Sequence, residues 1–416
     1  MDSNEECSRK RCPYMVSLRW LINYGKATGQ FSFGFVKGRP TFVQTLQILF
    51  NGAQAILLTV ITTRIALYIR PGEERLDARS FQKFLSLAYC LLSTVSMYAS
   101  LNAQRRLPGV LKALFEYQEK IQTPSRLSQR RLYWLAMGLV VACVVLSLLD
   151  VMTVPVAAAG LVELPFVPVF IPDAPYVDAF NCFVIQNSLS YCAALYIALT
   201  SILILAIRGG SHDYTFAERT HSSAADALAL DLRQDMRSTR DPTAHLVRQL
   251  QRRHQCLFQL CRRFDSIYSV YMFVLIAVYI PICLFCVYIV MSTQLAAMTV
   301  AMFLVWWSLI TCQLAAFVVP AVLVQETGYE LTSTAYEMYN RSDEQANIGL
   351  EFQLFTSQMW HNNLALTAAG FFTVTRSFAL TVFSATATYF VVLLQFDQSG
   401  GGATYNFLLR NHTDRY

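Results

Sequence analysis

The sequence predicts an all-α membrane protein with seven transmembrane helices, its N-terminus cytoplasmic and its C-terminus extracellular. Three observations carry this: a low charge content, the gathering of apolar residues into blocks, and the placement of the positive residues. Of the 416 residues, 55% are hydrophobic and 14% charged, whereas a soluble globular chain is about a quarter charged. The apolar runs are long enough to cross a hydrocarbon layer of about 30 Å at about 1.5 Å per helical residue. The formal net charge of +6 sits in the loops between these runs. It therefore reads as an orientation signal rather than a nucleic-acid footprint.

Residues 1–42 form a polar, basic cytoplasmic N-terminus without a signal-peptide pattern. The first four spans are expected at 43–69, 81–104, 132–154 and 180–207, within a membrane unit covering 43–207. A cytoplasmic loop and helix extension occupy 208–265, and the fifth and sixth spans, 266–291 and 296–324, make up the unit 266–324. Cytoplasmic helices follow at 325–375, then the seventh span at 376–396 and an extracellular tail at 397–416. With this topology the inside regions hold 25 Lys and Arg and the outside regions 5. That asymmetry fixes the orientation.

Two cytoplasmic stretches have helical spacing. Over 244–265, Leu246, Leu250, Leu257, Leu260 and Phe264 repeat with arginines between them, extending the fifth span downward. A basic helix lying on anionic lipid is the other reading of this stretch. Over 347–366, Leu350, Leu354, Phe355, Met359 and Leu366 do the same. Together these helices are expected to pack below the membrane as an assembly domain. The stretch 209–243 has no sustained apolar pattern and reads as a flexible loop.

Several local patterns are set aside. The terminal Asp414-Arg415-Tyr416 spells a motif that works only at the cytoplasmic end of a third helix. Of the two glycosylation sequons, at Asn340 and Asn411, only Asn411 faces the lumen in this topology. The cysteines lie mostly within apolar runs, so no disulfide framework is expected. His254, Cys256 and Cys261 on one amphipathic stretch make a weak zinc pattern, and no metal or cofactor is expected. Arg64 is expected to snorkel outward, and Pro281 and Pro320 to kink the fifth and sixth spans.

Polar groups in hydrocarbon need a reason. Asp150 near the outer end of the third span reads either as a ligand or ion contact or as an interfacial carboxylate in water. The fourth span carries Gln186, Asn187, Ser190 and Tyr191, and the sixth carries Thr299, Trp306, Trp307 and Thr311. Gln186 and Ser190 share one helix face, as do Asn187 and Tyr191. Amides, hydroxyls and indoles around a cavity suit a small polar organic ligand. Interhelical hydrogen bonding and interfacial anchoring are the competing readings.

The seventh span ends Thr388-Tyr389-Phe390-Val391-Val392-Leu393-Leu394-Gln395-Phe396. Upstream stand His361-Asn362-Asn363, Gly370-Phe371-Phe372-Thr373-Val374 and Arg376-Ser377-Phe378, and near the N-terminus Leu18-Arg19-Trp20-Leu21 leads to Gly29. Thr-Tyr, five hydrophobic residues, then Gln-Phe in a last span with an outside C-terminus resembles the arthropod, insect-type gustatory receptors, relatives of the insect odorant receptors. The resemblance covers the whole chain in architecture and 347–396 in sequence. It implies a tetrameric, ligand-gated, non-selective cation channel of the plasma membrane, homomeric or heteromeric, with one central pore lined by the seventh helices. Its stimulus would be a small-molecule tastant, and monovalent and divalent cations would pass. It further implies that Gln395, Phe396 and Val392 form the gate region, with Thr388 and Tyr389 supporting that helix. Insect sugar-receptor lineages often carry Glu in place of Gln395, which argues against that clade and leaves fructose-type and bitter-type receptors open.

Helical geometry agrees with a gate. At about 100° per residue, Thr388, Val392 and Gln395 share a face, and Tyr389, Leu393 and Phe396 share another. A modest rotation would exchange an apolar ring for an amide ring, and a hydrophobic constriction gates by dewetting. A seven-helix receptor acting through a partner protein is the alternative. A transporter or membrane enzyme lacks support, because no broken-helix repeat or His/carboxylate cluster lies in the spans.

Overall fold

In the computed structural model, residues 13–31, 42–68, 78–121, 126–158, 175–223, 242–292, 297–341, 345–392 and 395 are described. The helices are α1 (Pro13–Ala27), α2 (Phe42–Tyr68), α3 (Ala78–Ile121), α4 (Arg126–Ala158), α5 (Pro175–Ser223), α6 (Pro242–Ser292), α7 (Ala297–Arg341) and α8 (Gln345–His361). A two-stranded hairpin, β1 (Thr367–Ala368) and β2 (Phe372–Thr373), leads into a last apolar helix, α9 (Arg376–Val392). Each predicted span falls on one of α2–α7 and α9. Among the described residues, four stretches are long and apolar enough to cross a membrane: Arg130–Leu149, Phe183–Arg208, His254–Leu284 and Ile310–Glu330. Leu49–Val60 and Arg376–Val392 are shorter apolar helices.

α5 is the hub of the bundle, packing against α1, α3, α4, α6 and α7. Its residues Val184 to Leu203 are nearly all buried. Tyr196 stacks on Phe317 of α7 at 4.3 Å and meets Phe264 and Tyr268 of α6 edge-on or tilted. α4 is the opposite case: Trp134, Val141, Val145, Leu148 and Leu149 are all exposed, as suits a helix that turns one face to lipid. Hydroxyls on the outer helices bond back to the carbonyl four residues earlier, as in Thr59 to Ala55 and Thr62 to Leu58. This satisfies them within the helix.

The extension over 244–265 and the fifth span form one unbroken helix, α6, which runs through Pro281. Pro320 likewise lies within continuous α7. Two expectations are corrected. The stretch 209–243 was expected as a loop, but α5 stays helical through Ser223, and 224–241 lie outside the described residues. A helix-interior glycine costs only about 1 kcal/mol, so Gly209 and Gly210 do not stop it. The helical pattern over 347–366 ends early, at His361. Leu364 and Leu366 are buried in extended chain, not on a helix.

α1 is a helix that the sequence reading left without an element. Leu18, Leu21, Ile22 and Gly25 repeat on one face and are buried against α4 and α5. Its end is fixed by Gly29, at φ 73°. Gln30 N donates to Gly25 O at 2.7 Å and Gly29 N to Lys26 O at 3.4 Å. This paired closure needs a left-handed residue, which glycine adopts without a Cβ penalty. The turn sends Gln30 and Phe31 back into the core, both fully buried.

Candidate functional site

Two polar features stand out, one buried at the centre of the bundle and one exposed along α9. The buried feature joins five helices. Tyr24 of α1 donates to Asn187 Oδ1 of α5 at 2.5 Å. Gln30 Nε2 donates to Gln54 Oε1 of α2 at 3.2 Å and to Ser188 Oγ at 3.1 Å, and Gln54 Nε2 returns to Thr28 O. Gln104 of α3 holds the Gln30 carbonyl at 2.6 Å, while Ser96 Oγ donates to Ser188 O. Tyr191 packs between Tyr24 and Phe31, and a Cβ at Gly25 would collide with its ring. α4 contributes the buried Ser147 beside Tyr24. Asn187 Nδ2, Gln30 Oε1 and Tyr191 Oη are buried without a hydrogen-bond partner among the described residues. Left dry, such atoms cost about 1–3 kcal/mol each.

The predicted ligand residues divide between settings. Asn187 and Tyr191 are turned to α1. Gln186 Nε2 donates to Ser190 Oγ at 3.2 Å along the neighbouring face of α5. On α7, Thr311 Oγ1 lies 3.4 Å from Tyr279 Oη and Trp307 Nε1 donates to Cys283 Sγ at 3.2 Å, both partners on α6. The aromatic register fixes relative depth. Cys283 pairs with Trp307, Tyr279 with Thr311 and Tyr271 with Phe317, so α6 and α7 are antiparallel. Tyr196 meets Phe317, six residues beyond Thr311, and lies six residues beyond Ser190. With α5 and α7 running in the same direction, Gln186 and Ser190 come level with Trp307 and Thr311. The side chains of Asp150, Thr299, Trp306 and Arg64 lie outside those described, as do Phe396 and Asn411 altogether. Of the weak zinc trio, His254 and Cys261 are buried and Cys256 is exposed. Among the described residues no group of three or more His, Cys, Asp and Glu could hold a metal.

The second feature lies on α9. Ser377, Thr381, Ser384, Thr388, Val392 and Gln395 recur at spacings of three and four, and all are exposed. They fall within a stripe about 80° wide at about 100° per residue. Thr381 Oγ1 donates to Ser377 O and Thr388 Oγ1 to Ser384 O, both at 2.9 Å. The hydroxyls are thus held to the helix while keeping acceptor capacity outward. An open groove of about 550 Å³ runs along this face, flanked by Leu380 and Tyr389. Leu380, Phe383 and Tyr389 are also exposed, at 63%, 75% and 58%. The sequence reading found the C-terminal end of the stripe, Thr388 to Gln395. It missed Ser377, Thr381 and Ser384, whose signal was the continuing three-and-four spacing of small hydroxyls.

A bundle of long apolar helices around a buried polar junction, with the polar face of α9 left uncovered, defines a helical membrane protein. The family described as 7tm Chemosensory receptor matches residues 18–400, and the chain belongs to it. It is therefore a chemosensory receptor, not an enzyme. High-energy light unresponsive protein 1 of Caenorhabditis elegans is 24% identical over 371 residues, which cover 86% of this chain and 81% of that protein. Gustatory receptor family protein 3 of the same nematode is 34% identical over 96 residues, 22% of each chain. The insect olfactory receptor OR5 from Machilis hrabei in complex with eugenol superposes with a TM-score of 0.67 at 15% identity, covering 92% of this chain and 99% of that one. That likeness shows the fold.

Proposed function

We propose that the protein is a ligand-gated, non-selective cation channel of the plasma membrane, with four copies surrounding a pore lined by α9. The observation that carries this reading is the exposed hydroxyl-and-amide stripe on an otherwise apolar helix. A polar stripe facing lipid costs free energy, whereas one facing a water-filled path does not. The uncovered Leu380 and Phe383 would then pack against neighbouring copies. In this reading Gln395 lines the open path, and Phe396 or Val392 closes the resting one by dewetting. Thr388 and Tyr389 hold the helix face in register. The seven spans, the inside N-terminus and a glycan on Asn411 belong to the same proposal.

The ligand is a small organic compound, a tastant, bound in the outer half of the bundle. Support comes from amide, hydroxyl and indole groups brought level on α5 and α7, and from the eugenol held by a receptor of the same fold. Gln186, Ser190, Trp307 and Thr311 would contact it, with Asp150, Thr299 and Trp306 toward the outer surface. Asn187 and Tyr191 would act through α1. The test is expression of the chain alone, with whole-cell currents recorded over a panel of sugars and bitter compounds. Gln395→Ala should alter unitary conductance or ion selectivity, and unchanged values for both would remove the pore role. A subunit that only modulates a partner receptor would be silent alone and conduct when co-expressed. The nematode relative matched over most of its length carries high-energy light unresponsiveness in its name. Short-wavelength illumination without ligand is therefore a second arm, and current evoked by light alone would replace the tastant as stimulus.

A further inference from the structure

The chain between α8 and α9 is laid along α6 in a regular ladder. Cys261 Sγ points to Ala365 O at 3.8 Å. Asp265 takes two bonds from Thr367, Oδ1 from the backbone N–H at 2.7 Å and Oδ2 from the hydroxyl at 2.6 Å. Ala369 N donates to Ser269 O at 2.9 Å. Phe273 stacks on Phe371 with centroids 5.1 Å apart. The rungs advance by four residues on the helix, over 261–273, and by two on the connecting chain, over 365–371, which is extended only as far as the turn that begins at Ala369. Four helical residues rise about 6 Å and two extended residues about 6.6 Å. The two pitches therefore match over the first three rungs, and the turn at Ala369 and Gly370 then presents Phe371 to Phe273.

The ladder ends at the base of α9. The hairpin closes with Val374 N donating to Leu366 O at 2.9 Å. Phe372 stacks on Phe378 at 4.3 Å. Thr375 Oγ1 then accepts from Phe378 N at 3.0 Å, the geometry of an N-cap. On the other side of α6, next to Asp265, Ser266 is held from α3 by Asn102 and Arg106. α3 in turn holds Gln30 through Gln104. A bonded path therefore runs from the buried junction through α3 and α6 to the first turn of α9.

We propose that this ladder is the joint through which α6 sets the position of α9, with Asp265 as its positioning residue. Asp265 is the one charged rung and makes the only two-bond contact among the four. A carboxylate accepting two bonds fixes its partner in orientation as well as in distance. The ladder moves as one body: an axial or rotational shift of α6 is passed to the N-cap at Thr375 rather than absorbed in the connection. The gating part of this role rests on the channel reading; the structural coupling does not.

The experiment uses the purified full chain in lipid nanodiscs and hydrogen–deuterium exchange. Asp265→Ala should raise exchange at least tenfold over 365–378 and in the first two turns of α9, with α5 at 184–203 unchanged. Thr367→Ala, which keeps its N–H bond, should give a smaller rise at the same sites, and Asp265→Asn should restore most of the protection. If exchange rises in α5 as well in Asp265→Ala, the Thr367→Ala chain decides alone. Loosening confined to 365–371, or none in either variant, overturns the joint. In planar bilayers with sodium as the charge carrier, Asp265→Ala should change open probability at least tenfold and leave unitary conductance unaltered. Altered conductance with unchanged open probability overturns the gating role. An unmodified chain that carries no current counts against the channel reading, while the exchange result still judges the joint.

Discussion

α5 and α9 carry the same kinds of residue in opposite settings. Both are apolar helices punctuated by hydroxyls and amides. On α5, Gln186, Asn187, Ser188 and Ser190 are buried; Asn187 is bonded to Tyr24 of α1 and Ser188 to Gln30 in the turn that follows it. On α9, Ser377, Thr381, Ser384 and Thr388 face outward, and the bonds made by Thr381 and Thr388 return to their own helix. A polar residue that bonds across helices specifies how they pack. One that bonds only to its own helix leaves its outer side for whatever lies beyond, here a pore in the proposed assembly. Chemistry alone does not separate a structural polar group from a functional one; the direction of its hydrogen bonds does.

That contrast is open to direct attack. The largest effect is expected at Gly25. Gly25→Leu drives a side chain into Tyr191 and Phe31, which are both buried. Such overpacking costs about 1–3 kcal/mol or more, read as a fall in melting temperature in nanodiscs. A melting temperature equal to the parent's would show that α1 is not seated in the bundle. Next comes Tyr24→Phe, which leaves Asn187 Oδ1 unpaired at a cost of about 1–3 kcal/mol. Combined with Asn187→Leu, the loss should be less than additive by about 0.5–1.5 kcal/mol. Full additivity in a double-mutant cycle would mean that the pair is not coupled.

A smaller change of opposite sign is expected in the hairpin. Ala369 has φ 51° and precedes Gly370 at φ 76°, while Phe371 N donates to Ala368 O. Both central residues of this turn are left-handed, a conformation in which alanine costs about 1–2 kcal/mol and asparagine less. Ala369→Asn should therefore raise stability by roughly 1 kcal/mol, measured by thermal unfolding. The smallest effect on folding is expected on α9. Thr381→Val and Ser384→Ala should leave the melting temperature unchanged and alter conductance. A stability loss matching that of Tyr24→Phe would erase the distinction between the two helices.

Much of the bundle was legible because hydropathy is a local sum. α2–α7 and α9 sit where long apolar runs predicted them, and the helix below the fifth span follows from Leu250, Leu257, Leu260 and Phe264. α1 was hidden because its apolar face, Leu18, Leu21 and Ile22, is only two turns long and lies among basic residues. The hairpin was hidden because its strands are two residues each, too short for any alternating pattern. Tyr24, Gln30, Gln54 and Gln104 could not be read as partners, since their contacts reach across as many as 163 positions.

The sequence by itself determined a helical membrane chain, the order of its helices, and the C-terminal end of the polar face on α9. Those features depend on residues within one helix, where spacing fixes direction. Only the tertiary structure decided which polar residues are consumed inside the bundle, how far the stripe on α9 extends, and that the chain leading into α9 is fastened to α6 at Asp265. Those are long-range pairings, and they follow from how the helices pack against one another rather than from any periodicity along the chain.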